Sequence, residues 1–317
     1  MNCTQAFEAP LTNSATFLVL AIRDYPLALK KVRTTLAGIG GIIKGVAFRD
    51  ARCPFYCTVG IGSRAWDPLT GHLPRPAELH PLREIRGPVH RAPSTPGDLL
   101  LHIRSDRRDL CFEFERQVMA HLQGAVDVVD ATQGFRYFDA RDLLGFVDGA
   151  ANPAGAELRA AALVSAADEG EGEHAVSGGG SYVLVQKYVH DMASWRALPT
   201  EAQEAIVGRT KLDNAELGDA EGGAQKSHKT LTTVEDARGA EHAVVRDNMP
   251  FGSPAEGVYG TYFIGHARRL WVLERMLERM FVGDPPGKHD RILDYSRPTT
   301  GTVFFAPSDA VLAGLGA

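Results

Sequence analysis

The chain has 317 residues, 44% hydrophobic and 23% charged, with a net charge of -5, a composition that excludes disorder and a membrane fold and is large enough for two ordinary domains. The acidic balance, with no run of lysine or arginine, excludes a dedicated nucleic-acid binder. No basic residue precedes Arg23, and the apolar run from Ala15 to Ile22 has the length of a strand rather than of a bilayer span, so neither membrane association nor an export signal is expected. Cys3, Cys53, Cys57 and Cys111 form no CxxC pair and read as reduced, packed thiols of a cytoplasmic protein, with Cys53 and Cys57 on one strand face.

In chain order, hydrophobic periodicity predicts a strand at 16–23, a helix at 25–39, strands at 41–49 and 55–62, and an irregular insertion over 66–96 rich in Pro, Arg and His. A strand at 98–106, a helix at 109–124 and a strand at 126–138 follow. This is a β-α-β-β-α-β order with one added strand, which predicts a ferredoxin-like α+β sandwich. Residues 145–153 then read "GFVDGAANP" and 166–180 form a polar, acidic stretch expected to be an exposed loop. Beyond it the rhythm returns: a strand at 181–189, helices at 191–198 and 200–209, strands at 241–248 and 258–267, a helix at 269–282 and a strand at 301–308. The order repeats without evident sequence identity, so the expected architecture is α+β with duplicated ferredoxin-like domains, antiparallel sheets and peripheral helices, divided into 1–140 and 141–317. In the last long helix Leu270, Leu273, Met276, Leu277 and Met280 form one apolar stripe assigned to the core, with Arg275, Glu278 and Arg279 facing solvent or a subunit contact.

Chemistry concentrates in two segments. In "GFVDGAANP" the glycines Gly145 and Gly149 permit unusual backbone angles, and Asp148 is the only ionisable side chain. Taken alone, Asp148 reads as an aspartate capping its own turn. The second segment is "AQKSHKTLTTVEDARGAEHAVVRDNMPFG" (224–252), in which Arg246 and Asn248 are two apart at a strand end, on one side of it, and Arg238-Gly239 supplies a turn that brings His228 back toward them. His228 has no second His, Cys or carboxylate at a metal-ligand spacing, which excludes a zinc site. One histidine suffices for haem iron, where the porphyrin supplies four ligands. A haem enzyme using peroxide needs a cation to polarise the O–O bond and a group to relay its proton, and Arg246 and Asp148 have those properties.

At these residues the sequence resembles the dye-decolourising peroxidases. "GFVDG" is similar to that family's GFxDG signature, "SHKTL" with "VVRDNMPFG" is similar to its haem-ligand and distal-arginine segment, and "IVGRTKLDNAEL", "GTYFIGHAR" and "DRILDYSRPTTGTVFFAPS" extend the likeness over nearly the whole chain. The compact length is nearer the short bacterial class, called class B or P-type. The resemblance implies a peroxidase using haem b (iron protoporphyrin IX) bound in the C-terminal half. Its implied partners are hydrogen peroxide and small organic reductants such as dyes and phenols, and it implies a homo-oligomer. It implies His228 as the iron ligand and metal residue, Asp290 as the carboxylate behind it with Asp294 further back, and Asp148, Arg246 and Asn248 as the catalytic group on the open face. Arg209 and Asn152 are implied partners of the haem propionates. Ala151 stands where some relatives carry an acidic residue, so manganese oxidation by that route is not expected, and the short C-terminal segment gives no expectation of packaging in a nanocompartment. Trp195, Tyr137 and Tyr262 are candidate electron relays, each equally a packed aromatic. The competing functions are a haem carrier or haem-processing protein, which would share His228 but not need Arg246 and Asp148 together, and a haem-free ferredoxin-like binding module.

Overall fold

The computed structural model describes residues 4–71, 73–149, 152–165 and 177–316. Ala151, Cys3 and most of the acidic stretch 166–180 lie outside the described residues. The first half runs β1 (Ser14–Ile22), α1 (Pro26–Ala37), α2 (Ile39–Ala47), β2 (Phe55–Gly62), α3 (Ser63–Thr70), a two-stranded hairpin β3 (Ile85–Arg86) and β4 (Arg91–Ala92), β5 (Leu99–Ser105), α4 (Arg108–Leu122) and β6 (Val126–Phe135). The second runs α5 (Gly155–Ala162), β7 (Ser181–His190), α6 (Met192–Arg196), α7 (Thr200–Val207), α8 (His228–Thr232), the short strands β8 (Val234–Glu235), β9 (Glu241–His242) and β10 (Val245–Arg246), β11 (Met249–Ser253), β12 (Val258–Ala267), α9 (Leu270–Phe281), β13 (Ser296–Pro298), β14 (Thr302–Ala306) and α10 (Asp309–Gly314).

The main sheet follows the order β10-β12-β7-β14-β2-β5-β1-β6. Reading the four long strands of the first half as 1 to 4, their order across the sheet is 4-1-3-2, and β14-β7-β12-β10 repeats it in the second, which is the ferredoxin-like pattern twice. All pairings are antiparallel, and the halves join edge to edge where Phe304 and Phe305 pair with Gly62 and Ile61. One face of this sheet carries Phe17, Val19, Leu100, Val185, Tyr262, Ile264 and Phe304 in a single apolar cluster drawn from both halves. The helices of the first half cover the other face, where Val32, Leu36, Phe114 and Val118 are fully buried.

Four expectations are corrected. Residues 41–49 are helical rather than a strand: Ile39 and Val46 are buried, and Ile42 and Ile43 pack against the same core, so the apolar positions follow i, i+3, i+4, i+7, while Gly40, Gly41 and Gly45 face open space. Removing that strand leaves an unmodified β-α-β-β-α-β order. The 66–96 insertion is partly regular, because Trp66 and Leu69 bury one face of α3 and β3 pairs with β4. The strand expected over 241–248 is two short strands followed by β11. Cys53 precedes β2 rather than sharing its face with Cys57, and Cys53, Cys57 and Cys111 are free thiols; burial pushes the Cys111 thiol up to about 12.

Candidate active site

Within the second half, β7, β10, α8, α9 and the 142–149 loop enclose a cavity of about 260 Å³. His228, Asp148, Arg246, Asn248, Asn152 and Arg209 all line it, so residues spread over a hundred positions converge on one space.

His228 is the first residue of α8, whose start is fixed by Ser227: the hydroxyl accepts from Thr230 N at 3.4 Å. The C-terminal side is held by Arg279, which donates to the carbonyls of Thr233 and, at 3.1 Å, Thr230. Arg279 is therefore turned onto α8 rather than to solvent, a correction to the charged face read from sequence. His228 Nδ1 donates to Asp290 Oδ2 at 2.6 Å, and Asp290, fully buried, uses Oδ1 to accept from Ile292 N at 3.0 Å. Burial works against a charged His228, but the charge and hydrogen bond of Asp290 outweigh it and raise its pKa. No hydrogen-bond partner meets Nε2 among the described residues, which leaves that lone-pair position aimed into the cavity. Asp294 lies elsewhere, hydrogen-bonded to His90 and His289 at 2.9 Å each.

Facing the same space are Asp148, Asn248 and Arg246. Asn248 Nδ2 donates to Asp148 Oδ1 at 3.3 Å while its Oδ1 accepts from Ile264 N at 3.1 Å, which fixes the amide orientation. The second carboxylate oxygen of Asp148 has no partner among the described residues. Arg246 directs its guanidinium to Met276 Sδ, 3.7 Å away, so most of its donors are unused. Burial pushes its pKa down, and the nearby Asp148 offsets this. Asp247, between Arg246 and Asn248 in sequence, points the opposite way, as alternation on a strand requires: its Oδ2 accepts from Arg104 Nη1 at 2.6 Å in the core.

Two residues differ from their expected use. Asn152 donates to Arg246 O at 2.5 Å and accepts from Arg246 N at 2.9 Å, so both ends of its amide hold the arginine's backbone rather than standing free for a propionate. Arg209 lines the cavity but pairs with Glu216 and donates to Asn214 O at 3.1 Å. The loop itself is shaped by left-handed residues Gly145 (φ 99°) and Gly149 (φ 75°). The turn-capping role lies with Asp142, whose Oδ1 accepts from Gly145 N at 2.8 Å and Phe146 N at 2.9 Å, and this leaves Asp148 unspent. Asp142 also lines the cavity, and burial, with the Asp148 charge beside it, pushes its carboxyl up to about 7. Trp195 supports the loop by donating to Leu144 O at 2.9 Å. Of the three candidate relays, Trp195 and Tyr262 are each 1% exposed, while Tyr137 is half-buried at the surface.

Asp142, Gln186, Tyr188 and His190 were not found from sequence, since only the fold carries them to the cavity. Met276, Leu277 and Met280 line it as well, so the apolar stripe of α9 is both core and cavity wall. His190 is not a free ligand: its nitrogens engage Ser296 Oγ at 2.7 Å and Thr261 Oγ1 at 3.0 Å. The donor set thus fits a flat, largely apolar group that needs one axial nitrogen, with a cation and a carboxylate across the cavity, and it does not fit a protein-only zinc site.

Comparison with known proteins agrees with this chemistry. The family models "Dyp-type peroxidase, N-terminal" and "Dyp-type peroxidase, C-terminal" match residues 9–136 and 139–311. A dye-decolorizing peroxidase of Brevibacterium linens is 50% identical over 96% of this chain and 80% of its own length. The fold matches DyPB of Rhodococcus jostii RHA1 with a TM-score of 0.92 and 49% identity, over 99% of this chain and 98% of that one. A variant of that protein solved in complex with heme matches with a TM-score of 0.92 and 48% identity over 99% of both chains.

Proposed function

The chain belongs to the Dyp-type peroxidase family and is a haem peroxidase, and from this premise we propose how its own residues divide the work. The observation that carries the reading is the convergence on one cavity of a His228–Asp290 pair with a free Nε2 and an Asp148–Asn248–Arg246 group with unspent donors and acceptor. Haem b, when bound, would supply the iron at which hydrogen peroxide is reduced and to which dyes, phenols or similar reductants return single electrons.

His228 would hold the iron through Nε2. The electrostatics that favour a proton on that nitrogen equally favour a metal cation, and Asp290 on Nδ1 keeps the ring oriented and electron-rich. Arg246 binds the oxygen on which negative charge develops as the O–O bond breaks. The free oxygen of Asp148 takes the peroxide proton and returns it to the departing oxygen, while Asn248 holds the other carboxylate oxygen in place. Asn152 fixes the backbone from which Arg246 projects. Arg209, which lines the cavity and pairs with Glu216, would hold a propionate through its planar fork. A haem carrier would have no use for a carboxylate and a guanidinium together in the cavity wall, Asp148 with Arg246. The proposed halves are 1–140 and 141–317, which the repeated strand order supports. A cytoplasmic setting is supported by the free thiols, and self-association by exposed Phe48, Phe138 and Leu212. No helix among the described residues is long and apolar enough to cross a membrane.

The test mixes haem-loaded protein with one equivalent of hydrogen peroxide and follows the Soret band. Wild type is expected to react fully within the mixing experiment. Arg246→Leu should slow that step by roughly 10²–10³, and His228→Ala should lose most of its haem. A wild-type Soret band indifferent to peroxide would overturn the reading.

A further inference from the structure

Asp294 was expected behind Asp290, and its actual surroundings are a separate cluster. His90 occupies the turn of the β3–β4 hairpin, closed by Gly87 N donating to His90 O at 2.9 Å. That turn is docked tightly on the end of α9, where a side chain at Gly87 would collide with the Phe281 carbonyl. Across from it, His289 lies just before the short 3₁₀ turn Arg291–Asp294, which Asp294 ends. The Nε2 atoms of His90 and His289 each lie 2.9 Å from the same oxygen, Asp294 Oδ1. Their rings meet edge to face with centroids 4.8 Å apart. The three potential ligand atoms all fall within 4.8 Å of one another.

The two histidine nitrogens each sit 2.9 Å from the shared oxygen and no more than 4.8 Å from each other, whereas ligands about 2.0 Å from a shared tetrahedral ion lie roughly 3.3 Å apart, so a shift of about an ångström in the two imidazoles would admit one. The remaining requirements are also present. Arg291 Nε donates to Asp294 Oδ2 at 2.7 Å and so orients the carboxylate from outside. The Gln225 amide, at 2.8 Å from His289 O, fixes the backbone of the second ligand. The side chains of His90, His289 and Asp294 are 24%, 14% and 27% exposed, which leaves a path for an ion and room for water in the fourth position.

We propose that His90 Nε2, His289 Nε2 and Asp294 Oδ1 bind a divalent transition-metal ion of the zinc class, separate from the haem cavity. Two imidazoles and one carboxylate select a borderline ion over magnesium or calcium, which take oxygen ligands. The bound ion staples the inserted hairpin of the first half to the turn of the second.

The experiment uses haem-loaded protein, stripped with a chelator and titrated with zinc chloride, with native mass spectrometry counting haem and zinc independently. Wild type is expected to take one zinc per chain and to unfold at a higher temperature with zinc present. His90→Ala and Asp294→Asn should each weaken zinc binding by about tenfold or more and lose the thermal shift, with the Soret spectrum and haem count unchanged. If wild type binds no zinc, or if either folded variant binds it as wild type does, the site does not exist. Zinc and haem are counted separately, so failure here leaves the peroxidase reading intact, and failure of that reading leaves the zinc count intact.

Discussion

Two aspartates six residues apart divide the labour of one loop. Asp142 accepts both turn N–H groups, and Asp148, relieved of that duty, keeps an oxygen free in the cavity. The sequence made Asp148 visible because a signature surrounds it, whereas Asp142 carries no local mark and gains its place only through the bridge between Arg141 and Val147. Its carboxyl, held at about 7 against an ordinary value of 3.8, binds a proton more tightly folded than unfolded. The stability it contributes is therefore fully present below the ordinary value and is lost as pH rises toward and through 7. Asp142→Asn, which can still accept both N–H bonds, should lose less stability between pH 4 and 8 than wild type. The difference is on the order of a few kcal/mol at about 1.4 kcal/mol per unit, read from urea unfolding at each pH. At His228, the proposed iron ligand, Asp290→Asn should leave haem bound but make its reduction potential more positive, measurable by spectroelectrochemistry, because the His228 ring loses its anionic partner. His228 and Asp290 both stood out in the sequence, but that Asp290 hydrogen-bonds His228 while Asp294 turns to His90 and His289 follows from a turn that no spacing rule encodes.

At the scale of elements, strands and long helices were legible wherever one periodicity dominated. The misread stretch 41–49 contains β-branched residues whose spacing, once Ile39 is counted, is helical. Short elements such as α8 and β13 were not legible, because a five-residue helix or three-residue strand is held by its surroundings: Ser227 and Arg279 for α8, and pairing with β7 for β13. Gly145 shows the converse, a single residue on which an element depends. It has φ 99°, and a Cβ there would meet Lys211. Gly145→Ala should cost about 1–2 kcal/mol in backbone strain alone, seen as a lowered unfolding midpoint. By displacing Asp148 it should also slow the reaction with peroxide.

Across the whole molecule, the buried Arg104–Asp247 pair joins β5 of the first half to the strand end between Arg246 and Asn248. Arg104→Ala leaves Asp247 buried without its partner and should cost about 3–5 kcal/mol, measured by denaturant unfolding, with a slower peroxide step as a second consequence. Burial also lowers the pKa of three core histidines, His190 to about 4, His266 to about 3 and His102 well below its usual value. Their stability contribution is complete above about 6.5 and lost as pH falls through those values, the opposite sign to Asp142. His190→Asn should accordingly flatten the acid limb of the stability profile between pH 6.5 and 4. The duplicated order was legible from sequence, but the edge-to-edge junction was not, since β2 and β14 carry no signal naming each other. That junction sets a schedule for synthesis. The edge of β2 leaves the ribosome with its hydrogen-bonding groups unpaired, and the strand that covers it, β14, follows every other strand of the main sheet in chain order. Until then the nascent first half presents an open, apolar edge to every other chain nearby, so chaperone dependence should concentrate in the interval before Phe304 and Phe305 emerge.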